Sequence, residues 1–449
     1  MKRSFELTTI ALLTLTLVAA ACGGDSNQTV TGGGSDTGSP DGGSDATMGD
    51  TTDGGGGGMD ADAGMTDATA DGGDGTSQSQ SLRLYGIVEK PGEGKSRIFG
   101  IQTTARPGEG GSSLFDKSFG VGDIGLVETG SRLFALDQRC TRKPDECDKP
   151  AGRAVELEPK TGSTGGVFEL PDGTYNPKDV AFVGEAGRFY VTAYSSSKLH
   201  VFDTGGNRMA TTYDLGQFDP NPDADGDPEA FEMMVDGKYV LVVLQALKKF
   251  SAKSASRIAV LDTDKGSFVD FDESADGTQA LKLNGKNAFG GLTQAPDGDL
   301  VVGATGSFGK KDGAVLRIKR NGPGDYENGS TLVTEKQLGG DLTDVVVHGN
   351  QRGYAVVQRG GPDTPNRVKL FDASGEGDPE VTSVSAVNDA AGALCLGPDR
   401  KAVAAWDSGA SPPGYQGFTA TTRYPLWNGT IGPEAPSRGC LLATGNGAF

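Results

Sequence analysis

The chain has 449 residues, including 72 Gly but only two His and two Trp, and its formal net charge is −19. A protein that binds a polyanion needs a basic footprint, so this balance argues against nucleic acid and against docking on anionic lipid through surface charge. The length allows two or three ordinary domains, or one large repeat domain with an appendage.

Residues 1–21 read as an export leader. Lys2 and Arg3 give a positive start, and residues 7–18 form an apolar run broken only by Thr. That run falls short of the roughly 20 residues a transmembrane helix needs. The leader ends in Ala19-Ala20-Ala21-Cys22-Gly23, which resembles the lipobox of bacterial lipoproteins. The resemblance implies that Cys22 is lipidated and becomes the mature N-terminus. Gly23 after it implies sorting to the outer membrane, held there by the lipid anchor alone and facing the periplasm or the cell surface. Ala19 stands where the lipobox usually has Leu, and the same Ala-x-Ala would also suit ordinary signal peptidase, which would release a soluble protein.

Residues 22–80 are predicted to be a disordered tether. They are rich in Gly, Asp, Ser and Thr, and eleven Asp with no Lys or Arg carry more than half of the net charge. Such a segment has too little to bury to offset its ordering entropy. As a Gly-rich coil it would span roughly 40–45 Å.

From residue 81 to 449 the texture is all-β: short apolar runs separated by Gly, Asp, Asn and Pro turns. One unit comprises 179–183, a Gly turn, 188–192, 198–204 and 210–215. The same grammar recurs from 124, 233, 291, 344 and 393, at intervals of roughly 45–60 residues, the range of propeller blades. Six units leave orphan strands at both ends, 82–119 and 441–444. Joining them gives the expected architecture, a seven-bladed β-propeller closed by a composite blade from both chain ends. Tyr190-Val191-Thr192-Ala193 followed by Leu199-His200-Val201-Phe202-Asp203-Thr204 resembles the YVTN-type propeller repeat, with Ala193 in place of its final Asn. The third-strand half recurs at Ala259-Val260-Leu261-Asp262-Thr263 and Val368-Lys369-Leu370-Phe371-Asp372. The resemblance implies fold rather than activity.

Four further cysteines suit disulfides in an exported domain. Cys140 and Cys147 bracket one charged loop; Cys395 and Cys440 fall on strands expected to be neighbours, where a bridge would lock the closure. Asn221, Asp223, Asp225, Gly226, Asp227, Glu229 and Glu232 carry the spacing of a Ca²⁺-binding loop, which makes a structural Ca²⁺ the one candidate cofactor. Asn at the first position and the lack of flanking helices leave an acidic connector as the alternative. Asp123, Asp179, Asp344 and Asp389 fall just ahead of inner strands and read first as solvated loop acids; the alternative is a ring at one channel mouth, where carboxylates could attract a cation or a basic partner. His200 reads as a packed strand residue and His348 as turn decoration. Lactonase-type relatives of the YVTN propellers use His, Glu and Arg in the channel, and no such set maps onto this chain. The expected function is therefore a non-enzymatic binding or scaffold module for a protein or small-molecule ligand. A lactonase-like hydrolase working in the channel is the alternative.

Overall fold

The structure is a computed structural model. It describes residues 81–90, 95–104, 112–119, 124–138, 152–220, 226–249, 251–358, 365–384, 387, 390–397, 400, 402–407, 414–419, 425–430 and 440–444. The leader, the tether, the Cys140 and Cys147 loop, Asp123 and Asp389 lie outside the described residues.

The fold is an all-β propeller. Strands β1 (Ser81–Lys90), β2 (Lys95–Thr104) and β3 (Ser112–Phe119) pair in that order. Six sheets of consecutive strands follow. The first two are β4 (Ile124–Thr129), β5 (Arg132–Asp137), β6 (Arg153–Leu157) and β7 (Thr164–Glu169), then β8 (Pro177–Val183), β9 (Arg188–Ala193), β10 (Lys198–Asp203) and β11 (Arg208–Asp214). The third joins β12 (Ala230–Asp236), β13 (Tyr239–Leu244), β14 (Arg257–Asp262) and β15 (Ser267–Phe268), with β16 (Leu281–Lys282) also on β14. Next come β17 (Leu292–Gln294), β18 (Leu300–Ala304), β19 (Ala314–Gly322) and β20 (Asp325–Thr334), and then β21 (Asp341–Val347), β22 (Arg352–Gln358), β23 (Arg367–Asp372) and β24 (Glu380–Ser383). The sixth holds β25 (Ala390–Leu396), β26 (Ala402–Asp407), β27 (Gly414–Thr419) and β28 (Pro425–Thr430). The last strand, β29 (Cys440–Thr444), returns to β1 with Leu442 opposite Leu84, so this remaining sheet runs β29-β1-β2-β3.

The side-chain pattern explains this stacking. In β13, Val240 and Val242 pack with Val183, Tyr190 and Val201 of the sheet before. Leu241 and Val243 point the other way, onto Leu300, Val302 and Leu316 of the sheet after. A strand buried on both faces reads as a continuous apolar run, and Tyr239–Leu244 does. The outer strand β11 is exposed at most positions, as its Arg-Met-Ala-Thr-Thr-Tyr-Asp sequence requires. The hydrophobic core is thus a series of layers between sheets.

The Asp that ends the third strands, part of the sequence repeat, is a turn cap. Asp203 accepts from the backbone N–H of Gly205 (2.9 Å) and Asn207 (2.8 Å), Asp262 from that of Asp264 (3.1 Å), and Asp372 from that of Ser374 (2.9 Å). An Asx-type turn of this kind needs a short acceptor at that position. First strands touch in a circuit: β4 contacts β8, then β12, β17, β21, β25 and β29 follow, and β29 contacts β4.

Candidate functional site

Four neighbouring first strands enter the channel in one register. Each is preceded or opened by an anchoring residue, then a buried small or aliphatic one, then a half-buried one at the rim, then a position facing inward. The quartets are Asn176-Pro177-Lys178-Asp179, Glu229-Ala230-Phe231-Glu232, Asn287-Ala288-Phe289-Gly290 and Asp341-Leu342-Thr343-Asp344.

The first three anchors have left-handed backbones, with φ of 58°, 48° and 51°. Such a conformation costs energy in a non-Gly residue and persists only where the surroundings over-determine it. Here each anchor carbonyl accepts the N–H just past the second strand of its sheet: Asn176 from Tyr194 (2.9 Å), Glu229 from Gln245 (3.3 Å), Asn287 from Thr305 (2.9 Å). All three side chains are buried. Glu229 accepts from the Leu247 N–H at 2.9 Å, and Asn287 donates to the Gly306 carbonyl at 3.1 Å.

The rim positions form an aromatic strip. The rings of Phe231 and Phe289 stack at 5.3 Å, and Phe289 meets Phe308 edge-on at 6.1 Å. Lys178 Nζ lies 5.9 Å from the Phe231 centroid and 5.6 Å from that of Tyr194, within cation–π range. The Tyr194 hydroxyl donates to Gln245 Oε1 at 3.2 Å.

One residue further in stand three carboxyls. Each accepts a backbone N–H from the first strand of the following sheet: Asp179 from Met233 (2.6 Å), Glu232 from Leu292 (2.5 Å), Asp344 from Leu394 (2.6 Å). Asp179 and Asp344 also cap the N–H of their own following residue. Burial disfavours the charged form and pushes Asp179 up to about 7 and Asp344 up to about 7, against the pull of these hydrogen bonds. Glu232 goes up to about 8, first through burial and then through repulsion from Asp344 and Asp179. In the third quartet the inward position is instead Gly290, where an added Cβ would lie 3.3 Å from the Gly303 Cα. Gly290 presses on Gly303 of β18, where a Cβ on Gly303 would meet the Gly290 carbonyl at 2.5 Å.

Part of the Ca²⁺-loop set falls within the described residues. Asn221, Asp223 and Asp225 lie outside the described residues, Asp227 is half-buried, and Glu229 and Glu232 accept N–H groups from different segments. Among the described residues no three His, Cys, Asp or Glu are grouped to hold a metal. Cys395 is buried on β25, and Cys440 opens β29, which contacts β25. The histidines sit elsewhere. His200 is buried on the third strand β10, 3.2 Å from Ser196 Oγ, and burial lowers its pKa to about 4. His348 follows β21, its ring 5.4 Å from Tyr354, and burial lowers it too.

The sequence marked Asp179 and Asp344 only as acids at the start of inner strands, first read as solvated; their carboxyls in fact bond to the next sheet, and the aromatic rim was not legible at all. Its one sequence signal is the Ala-Phe pair that recurs at Ala230-Phe231 and Ala288-Phe289, directly after the anchors. Chemically, the mouth offers aromatic faces and an ammonium above carboxyls that exchange protons near neutral pH.

No protein-family model and no curated protein matches the chain. Solved propellers do. A proposed 6-phosphogluconolactonase from Bacteroides uniformis is 15% identical, with 81% of this chain and 100% of that chain covered at TM-score 0.53. A second, from Bacteroides fragilis, is 15% identical, covering 82% and 98% at TM-score 0.52. A protein of unknown function from Desulfotomaculum acetoxidans is 12% identical, covering 80% and 99% at TM-score 0.50. At these identities the likeness concerns the fold alone, and the chain is a β-propeller without a matching family.

Proposed function

We propose that the chain is an exported binding module: a seven-bladed propeller, lipid-anchored through Cys22 and raised on the 22–80 tether, that takes a small ligand at the channel mouth. The circuit of first strands, with β29 between β25 and β4, supports seven blades closed by the composite sheet. A Cys395–Cys440 bridge would pin that closure. The observation that carries the binding reading is the shared register, which sets Lys178, Phe231 and Phe289 at the rim above Asp179 and Glu232. Aromatic faces and convergent polar groups are the usual furniture of a small-molecule site. The ligand class that fits is one with a flat apolar face and a cationic or hydroxyl group reaching the carboxyls.

The test is a thermal-shift screen of the full chain against amines, monosaccharides and aldonolactones. Stabilisation by a ligand in the first two groups, reduced at least tenfold in affinity by Phe231→Ala or Phe289→Ala, is the expected result. A hydrolase is the second reading, favoured by Glu232, whose carboxyl titrates in the range a general acid or base needs. Turnover of a lactone by the wild type that disappears in Glu232→Gln would replace the binding reading with that one.

A further inference from the structure

We propose that one sector of the mouth face is a docking surface for an anionic bilayer. Three segments there are tied together by hydrogen bonds. Ser256 donates its N–H to the Gly285 carbonyl and its hydroxyl to the Gln245 carbonyl (2.9 and 3.1 Å), and the Gly306 N–H donates to the Lys286 carbonyl at 2.9 Å. These segments, residues 245–256, 283–288 and 305–313, carry six exposed lysines: Lys248, Lys249, Lys253, Lys286, Lys310 and Lys311. They hold one acid, Asp312, whose carboxylate accepts the Ser307 N–H at 2.7 Å. Asp341, beside them, is buried and accepts the Gly309 N–H at 2.7 Å. The adjoining segment, whose Pro228 and Glu229 carbonyls accept the Ala246 and Gln245 N–H groups, adds half-buried Asp227 and buried Glu229, and the six lysines still outnumber these acids in a chain of net charge −19.

A second, independent observation lies in the same sector. Phe308 is 51% exposed and is one of only two large hydrophobic residues that stand out among the described ones. It stands between Ser307 and Gly309, two residues before Lys310-Lys311, and its inner edge packs on Phe289. An exposed aromatic ring among lysines is the chemistry of an interfacial contact: the ring enters the headgroup boundary while the ammonium groups meet lipid phosphates. Charge beyond about 8 Å is screened at physiological salt, so the local sector, rather than the net charge of the chain, governs such a contact. Docked this way, the channel mouth would face the lipid.

The experiment uses the chain without residues 1–22, which removes both the apolar leader and Cys22, so that vesicle binding belongs to the acidic tether and the propeller. Co-sedimentation is measured with vesicles of phosphatidylglycerol and phosphatidylethanolamine, and with phosphatidylcholine alone. Binding to the first, falling with added salt, and little to the second is expected. Lys310→Glu with Lys311→Glu should weaken it by roughly tenfold or more, and Phe308→Ala should weaken it without changing the salt slope. Both variants alter exposed side chains, and an unchanged melting temperature verifies their fold. Equal binding to both vesicles, no binding to either, or undiminished binding by the charge-reversed variant overturns the proposal. So does retention on soluble polyphosphate with none on the anionic vesicles. The two tests stay separable because the ligand screen reads stabilisation by a soluble compound through Phe231 and Phe289, whereas the vesicle assay is decided by Lys310 and Lys311, so either result can fail without the other.

Discussion

The carboxyls at Asp179, Glu232 and Asp344 contribute to the pH response of the domain, alongside Glu128 and Glu335, which burial also pushes up to about 7. Each has a folded pKa raised above its ordinary value, so the folded state holds these protons more tightly than the unfolded chain does. Their contribution is fully present below the unfolded value near pH 4 and is lost as pH rises through 7 to 8. At about 1.4 kcal/mol per pH unit, rises of about three pH units correspond to at most roughly 4–5 kcal/mol each across that window. Asp179→Asn, Glu232→Gln and Asp344→Asn keep an acceptor oxygen for the next strand and remove the charge. Melting temperatures from pH 5 to 9 should therefore fall less steeply in these variants, with equal or higher stability at pH 8. A slope unchanged from wild type in all three would refute the assignment. His200 works in the opposite direction: held neutral by burial, it favours folding above its unfolded pKa and costs stability as pH falls toward 4. Comparing variant with wild type cancels that contribution.

Among elements, β18 makes a close backbone approach to the connector before β17. Gly290 donates its N–H to the Gly303 carbonyl at 3.0 Å, and Gly303 returns one to Gly291 at 3.1 Å, with no room for a side chain between. Gly303→Ala must push the connector outward, at a cost of about 1–3 kcal/mol. Because Phe289 sits on that connector, the substitution should also perturb its stacking on Phe231, read out as weakened ligand affinity at the mouth. Chemical denaturation of Gly303→Ala with an unchanged midpoint would contradict the packing described.

Across the whole molecule, closure rests on one short strand. β29 pairs with β1 over five residue pairs, from Leu82↔Thr444 to Gly86↔Cys440, and also contacts β25 and β4. Deleting residues 438–449 uncovers an edge of β1 and removes the partner of two first strands. Open edges promote aggregation, so the truncated chain should lose cooperative melting or aggregate at concentrations where the full chain is monodisperse. Retention of the wild-type melting temperature would show that closure does not depend on β29.

Much of this architecture was readable in the sequence because propeller grammar is local. Alternating apolar runs mark strands, Gly and Asp mark turns, and the repeat of Asp203, Asp262 and Asp372 marks third-strand ends whose caps involve only the next few residues. Even the orphan strands at the two ends could be joined, since an unpaired edge is a local deficit. The site was not readable in the same way. Glu232 fitted a Ca²⁺-loop spacing in one dimension, but its carboxylate reaches Leu292 in the next sheet, a partner sixty residues away. Phe231, Phe289 and Phe308 look like core residues in a strand-rich chain, and only sheet stacking turns them into a rim. The lysines of residues 245–256 and 305–313 were likewise visible one by one, while their convergence against a net charge of −19 depends on three loops being hydrogen-bonded side by side.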